Sequence, residues 1–143
     1  MPLQLPSQEG IIRFDPATGG WARLSELKKS GLAEGFNIVY FRNLMCSACR
    51  LLDLKFPDLV DMYSCRATIT VVTCMWFSKL CLTRAARRAF EEFKVRESPT
   101  IYAALVRGGS VVREAVIIGT LSLSEYRSYL AKAVGLRACS KLK

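Results

Sequence analysis

Apolar residues recur along this chain with two different periods, and the switches between them mark out strands and helices. Gly10 to Phe14 is a short apolar piece closed by Asp15-Pro16 and Gly19-Gly20, which predicts a first strand. From Trp21 to Leu32 the apolar positions are Trp21, Leu24, Leu27 and Leu32, with Lys28 and Lys29 between. That spacing predicts a helix closing near Gly31 or Gly35. Asn37 to Arg42 reads as a strand. Ser47 to Tyr63 places Leu52, Phe56, Leu59, Val60 and Tyr63 on one helical face. Pro57 falls inside this pattern and is expected to kink or restart the helix, with Asp58 and Asp61 in the restarted turn. Arg66 to Met75 is almost continuously apolar and rich in Ile, Val and Thr, as in a central strand buried on both faces. Thr83 is placed to cap a helix from Arg84 to Phe93, which Glu97-Ser98-Pro99-Thr100 ends. Thr100 to Val106 and Val111 to Ile117 form a hairpin through Arg107-Gly108-Gly109-Ser110. Ser122 or Ser124 then caps a last helix through Val134, with Glu125 placed for a capping box and Gly135 as its stop.

The predicted order is β-α-β-α-β-α-β-β-α. Strands joined by helical crossovers should be parallel, and the hairpin adds an antiparallel edge. This is an α/β chain with helices on both faces of one mixed sheet. At 143 residues and 51% apolar content, a single domain spanning 1–143 is expected, with flexible ends at 1–9 and 136–143. The N-terminus shows no signal-peptide pattern, and the most apolar stretch, Ala67 to Leu82, is broken by Lys79. No membrane association is therefore expected, and the default placement is cytoplasmic. The net charge is +9, and the chain has no histidine, which excludes Ser-His and Cys-His catalysis. The basic residues cluster at Arg84, Arg87, Arg88, Lys94 and Arg96 and in a tail of Arg137, Lys141 and Lys143. With Glu91 and Glu92 four residues after Arg87 and Arg88, the first group reads as a solvated helix face. No aromatic residues interleave with the charges, so nucleic-acid binding is not expected.

The candidate chemistry lies in the cysteines. Cys46-Ser47-Ala48-Cys49 follows the apolar run Phe36 to Phe41, so it ends a strand and opens a helix. The free N–H groups and partial positive charge of a helix N-terminus favour a thiolate, most strongly at Cys46. The spacing puts the second sulfur about one turn away, within reach of a disulfide. A C-x-x-C alone also fits half of a zinc knuckle or a buried structural pair, although the chain has only one such motif. Cys65, Cys74, Cys81 and Cys139 read as reduced, buried apolar residues in a mesophile cytosol. Cys74 and Cys81 could pair if the loop between them turns back.

Taken together, Cys46-Ser47-Ala48-Cys49, Ser98-Pro99-Thr100, the Gly108-Gly109 hairpin and Gly119 before the last helix resemble the thioredoxin family over nearly the whole chain. The resemblance implies a three-layer fold with a five-stranded mixed sheet flanked by about four helices. It implies dithiol–disulfide exchange with Cys46 as the exposed nucleophile and Cys49 as the buried resolving thiol. Pro99 matches the family's cis-proline, with Ser98 presenting its backbone to an extended substrate segment. Gly119 would allow close approach of substrate backbone, and Met45, Pro99 and Ile118 would form an apolar rim. Implied partners are protein disulfide substrates and a reductase or other thiol donor. The expected molecule is a monomer that needs no cofactor or metal beyond its own Cys46–Cys49 disulfide.

The chain also departs from the family pattern. Met45 replaces the usual Trp, Ser47-Ala48 the usual Gly-Pro, and Tyr40 the usual buried Asp; Ile69 to Cys74 contains no counterpart of the buried Lys. A neutral Tyr is a poor base, so Cys49 would have to lose its proton to water or another group. Arg50, after the second cysteine, fits either a charge that favours thiolate or a solvated side chain. A second reading keeps the fold but makes it a binding module. Its C-x-x-C would then be structural or hold a soft metal such as Cu(I) or zinc, and its basic surface would engage a partner.

Overall fold

The apolar run at the centre of the chain becomes the middle of a sheet because its alternate side chains find cores on both sides. In the computed structural model, which describes residues 5–140, this run is strand β3 (Gly35–Asn43). Around it lie β1 (Gly10–Asp15), β2 (Gly20–Leu24), β4 (Ala67–Cys74), β5 (Thr100–Arg107) and β6 (Ser110–Ile118). The sheet order is β2-β1-β4-β3-β5-β6. Only β3 and β4 are parallel; the other four pairings are antiparallel. Three α-helices accompany the sheet, α1 (Ser47–Tyr63), α2 (Arg84–Glu92) and α3 (Leu123–Val134), with a short 3-10 turn at Lys29–Gly31.

Ile38 and Tyr40 of β3 point into one core with Leu52 and Phe56 of α1 and Tyr126 and Leu130 of α3. Val39 and Phe41 point the other way, into a core with Val72 and, from α2, Ala86 and Phe90. The two-residue period of a strand produces this split, and it yields the three layers. Burial of each large side chain in these cores contributes about 2 kcal/mol.

Among the described residues there are six strands in the sheet rather than the expected five, and three α-helices rather than four. Both differences come from Trp21 to Leu32. The predicted helix is absent; its first residues form β2, and a 3-10 turn follows. The cause is the turn chemistry before it. The amides of Thr18 and Gly19 donate to the Asp15 carbonyl, at 3.3 and 2.8 Å, and Gly19 takes the left-handed φ of +75° that the turn needs. The chain therefore reverses, and Trp21 lands opposite Phe14 with the rings edge to face at 5.5 Å. β1, expected to be parallel, is antiparallel to both neighbours.

Helix α1 runs through Pro57 without restarting. Cys49, Leu52 and Phe56 before or beside the proline and Leu59, Val60 and Tyr63 after it stay on one buried face, so packing outweighs the lost ladder bond. Ser122 makes the expected capping box with Glu125, and Gly135 ends α3 at a φ of +78°. Thr83 sits at the N-cap of α2 but makes no side-chain cap bond; its hydroxyl instead donates to the Glu9 carboxylate. Arg87 and Arg88 form no ion pair with Glu91 or Glu92 among the described residues, and Arg87 donates to the Cys81 carbonyl instead.

The ends expected to be flexible are anchored where they are described. Leu136 is fully buried, the Cys139 amide donates to the Met62 carbonyl, and Cys139 is disulfide-bonded to Cys65. Near the other end, the Pro6 carbonyl accepts from Arg42. Residues 1–4 and 141–143, including Lys141 and Lys143 of the basic tail, lie outside the described residues. Cys74 is bonded to Cys81 with their Cα atoms 5.0 Å apart, so the four cysteines expected to be reduced form two disulfides. The 75–80 loop closes back through a bridge between Trp76 and Leu80, and this brings the second pair together. No helix among the described residues is long and apolar enough to cross a membrane.

Candidate active site

Strand β3 delivers the C-x-x-C to the end of the sheet. Leu44 and Met45 carry the chain past Asn43, and the amide of Cys46 donates back to the Asn43 carbonyl at 3.2 Å. Cys46 then takes the N-cap position of α1 in an extended conformation (φ −105°, ψ 113°). Its Sγ accepts a hydrogen bond from the Cys49 amide at 3.1 Å. The sulfur thereby occupies the place a Ser or Asp oxygen takes at an ordinary N-cap. Both cysteines are free thiols. Cys49 is 1% exposed, as expected of a buried thiol, but Cys46 is only 6% exposed rather than open to solvent. The capping bond explains this, since it turns the sulfur inward over the first turn of the helix.

Burial pushes the Cys49 thiol up to about 12, and the hydrogen bond and charge of Cys46 add to the rise. The main chain of Asn43 and the hydroxyl of Ser98 act in the opposite direction by favouring the thiolate. Ser98 is thus brought to Cys49 from the start of β5, the strand beside β3. The Ser98–Pro99 peptide bond is cis, and Pro99 is buried. The Gly119 amide donates to the Pro99 carbonyl at 2.9 Å, and the Thr120 hydroxyl donates to the Ala48 carbonyl at 2.8 Å. These bonds join the Pro99 and Gly119 turns to the turn between the cysteines. Gly119 has a left-handed φ of +93°, and a Cβ there would meet nothing within 4 Å. Glycine is needed for its backbone conformation, and the space beside it is open. Met45 and Ile118 are both exposed, at 60% and 48%. Arg50 is exposed and forms no ion pair among the described residues.

Behind Cys49 lies a buried polar network that the sequence reading did not find. Tyr40 donates its hydroxyl to Asp53 Oδ1 at 2.8 Å and lies 3.1 Å from the Cys49 carbonyl. Asp53 also receives a two-pronged bond from Arg42, Nε to Oδ1 at 3.0 Å and Nη2 to Oδ2 at 2.8 Å. Arg42 is 5% exposed and completes its bonding with the Pro6 carbonyl and the Thr73 hydroxyl. Burial first, and then the charge of Asp53, hold the Tyr40 hydroxyl well above the ordinary phenol range, so it remains protonated. Tyr40 is therefore a hydrogen-bond donor, and the carboxylate that accepts from it is Asp53 of α1. Two signals were present in the sequence: an arginine closing an apolar strand, and an aspartate four residues after Cys49 on the same helix face.

On the other flank, β4 exits beside the cysteines. The Leu44 amide donates to the Cys74 carbonyl at 2.9 Å and the Met45 amide to the Met75 carbonyl at 3.2 Å. Asn43 Oδ1 accepts from the Phe77 amide at 2.7 Å. Among the described residues no group of three or more Cys, Asp or Glu side chains is arranged to hold a metal ion.

No protein-family model matches the chain, and no curated protein matches it significantly. Solved structures do. A thioredoxin from Plasmodium falciparum aligns with a TM-score of 0.56 at 12% identity, over 80% of this chain and 88% of that one. Thioredoxin from Aeropyrum pernix gives 0.54 at 18% identity, over 83% and 90% of the two chains. Thioredoxin f2 from Chlamydomonas reinhardtii gives 0.52 at 14% identity, over 78% and 97%. At these identities the likeness is one of architecture, and it agrees with a parallel β3-α1-β4 unit followed by a terminal β-β-α unit. The chain has a thioredoxin-like fold.

Proposed function

We propose that this protein is a thiol–disulfide oxidoreductase that exchanges disulfides with protein substrates through Cys46 and Cys49. The observation that carries this reading is the Cys46 sulfur at the N-cap of α1, bonded to the Cys49 amide at 3.1 Å. There the N–H donor and the helix terminus meet negative charge on that sulfur.

In the reducing direction, Cys46 thiolate attacks one sulfur of a substrate disulfide. The substrate S–S bond breaks, a mixed disulfide forms on Cys46, and one substrate thiolate leaves. Cys49 then attacks the Cys46 sulfur. The mixed disulfide breaks, the second substrate thiol is released, and the Cys46–Cys49 disulfide forms. Two electrons pass to the substrate, and a thiol donor or reductase returns them. The structure suggests how Cys49 becomes reactive at the right moment. Part of what raises its pKa is the hydrogen bond and charge of Cys46. Both vanish once Cys46 is bonded to substrate, while the Ser98 hydroxyl remains to favour the thiolate.

Ser98, Pro99 and Gly119 would receive the substrate backbone, with Met45 and Ile118 as the apolar rim. No prosthetic group is required. The net direction, reduction or oxidation, follows from the potential of the pair against its donors. Placement in the cytoplasm fits the two further disulfides only if that cytoplasm tolerates them, as in thermophiles; an oxidising compartment accommodates them directly. The test is reduction of insulin by the dithiol-reduced protein. Wild type should accelerate it and Cys46→Ser should lose the acceleration entirely; an undiminished rate in the variant would sink the assignment.

A further inference from the structure

Cys46 lies at the end of β3, between the turn that leads into β5 and the loop that leaves β4. The first flank is the Pro99 side discussed above. The second is an apolar surface that continues from the rim residue Met45 onto residues 75–82, to which the exchange mechanism gives no role. Met45, Met75, Trp76, Leu80 and Leu82 are 60%, 41%, 38%, 56% and 95% exposed. They are five of the eleven large apolar side chains exposed among the described residues, gathered on one loop and the residue before Cys46. Met75, Leu80 and Leu82 line a cavity with Leu44 and Glu9. Between Cys74 and Thr83, Lys79 is the only charged side chain.

Phe77 and Cys81 of this loop pack onto the core, yet Met75, Trp76, Leu80 and Leu82 stay exposed, and three separate ties fix the loop in that form. The Cys74–Cys81 disulfide closes its base. Glu9 accepts from the amides of Met75, Leu82 and Thr83 and from the Thr83 hydroxyl, at 2.8 to 3.1 Å. Burial alone would raise the Glu9 carboxyl, but these bonds outweigh it and hold the group below the usual carboxylate range, with its charge turned inward. Asn43 accepts from the Phe77 amide, and Phe77 is kept at a left-handed φ of 54°, which a bulky residue adopts only when its surroundings impose it. Ordering an exposed loop in advance lowers the cost of binding something on it. Methionine and an exposed tryptophan suit a surface that must accept varied apolar partners.

We propose that this surface selects the substrate. It docks an extended protein segment with large apolar side chains beside its cysteine, and delivers that cysteine to Cys46. The occupant follows from continuity with the reacting sulfur. Met45 adjoins Cys46 in the chain and bonds to Met75 through the backbone, and Met75 shares a cavity with Leu80 and Leu82, so a segment reaching Cys46 from the β4 side meets Met45 and Met75 first and the cavity beyond them. The proposal rests on the exchange reading, and its test separates the two.

The test uses the unreduced wild-type chain and two short synthetic peptides with serine in place of cysteine, so that no exchange can occur. One peptide carries leucine and phenylalanine around the serine; the other carries serine and glutamate there. Amide chemical-shift mapping should show the apolar peptide perturbing Met45 and residues 75–82, and the polar one leaving them unchanged. Leu82→Asp, at a side chain that is 95% exposed, should weaken apolar-peptide binding about tenfold. Leu54→Asp, exposed on α1 away from the loop, should leave it unaltered. Equal binding of both peptides, shifts confined to another surface, or no loss in Leu82→Asp would overturn the proposal. So would a concentration-dependent dimer that Leu82→Asp dissolves, because a second copy would then cover the patch. Apolar-peptide binding at the loop by a protein that reduces no disulfide would support the surface and overturn the exchange reading instead.

Discussion

Tyr40, Arg42 and Asp53 show how single residues set the environment of the cysteine pair. Arg42 is buried at the end of β3, and Asp53 meets its guanidinium with both oxygens. Tyr40 shares that carboxylate and abuts the Cys49 carbonyl, so the network fixes the first turn of α1 against the strand. Asp53→Asn should therefore destabilise the protein by about 3 kcal/mol, the cost of leaving a buried arginine unpaired. The double variant Arg42→Met with Asp53→Leu should lose less than the single one, because it removes both charges together. Urea denaturation reads both, and a loss below about 0.5 kcal/mol in Asp53→Asn would show the pair to be a surface ion pair in its energetics. At this scale the sequence was legible where chemistry depends on local spacing. Cys46, Cys49, Ser98, Pro99 and Gly119 are all brought to one end of the sheet. The Tyr40–Asp53–Arg42 network was not legible, because its members meet only after α1 has packed on β3. The exposure of Cys46 was misjudged for a related reason: whether a sulfur caps its helix or faces water depends on a rotamer, which spacing does not specify.

Elements were legible where period and end signals agreed. The helix from Ser47, the central strand after Arg66, the Gly108-Gly109 hairpin and the capping box at Ser122 all stand where the pattern puts them. Trp21 to Leu32 went wrong because a few apolar residues fit a helical period while the Asp15-to-Gly20 turn before them demanded a hairpin. The end of the chain went wrong because a distant cysteine fixes it. Cys139 reaches the C-terminal end of α1 across 74 residues of sequence, and Leu136 packs into the α1–α3 core. Cys65→Ser should lower the stability of the oxidised protein by about 2–4 kcal/mol, as expected for a bond closing a long loop. The difference should disappear when both proteins are compared under reducing conditions. A urea midpoint unchanged by Cys65→Ser under oxidising conditions would mean that the segment is held by packing alone.

For the molecule as a whole, the three-layer α/β architecture was readable from the alternation of elements, whereas the sheet's sixth strand was not. The extra strand lies at the far edge, beyond β1, and leaves the β3-α1 junction untouched. The site is therefore independent of the part of the fold that was misread. The molecule places a thiol that caps a helix, a buried thiol behind it and the cis-Pro99 turn at one end of the sheet, with an apolar loop alongside. In the proposed mechanism Cys46 attacks and Cys49 resolves. The most direct measurement is mass spectrometry of the Cys49→Ser variant, its Cys46 thiol free, after mixing with a peptide disulfide. The mechanism predicts a stable adduct of one peptide half, mapped to Cys46 and released by reductant, with no such adduct accumulating on wild type. No adduct, or one mapped to another cysteine, would contradict it.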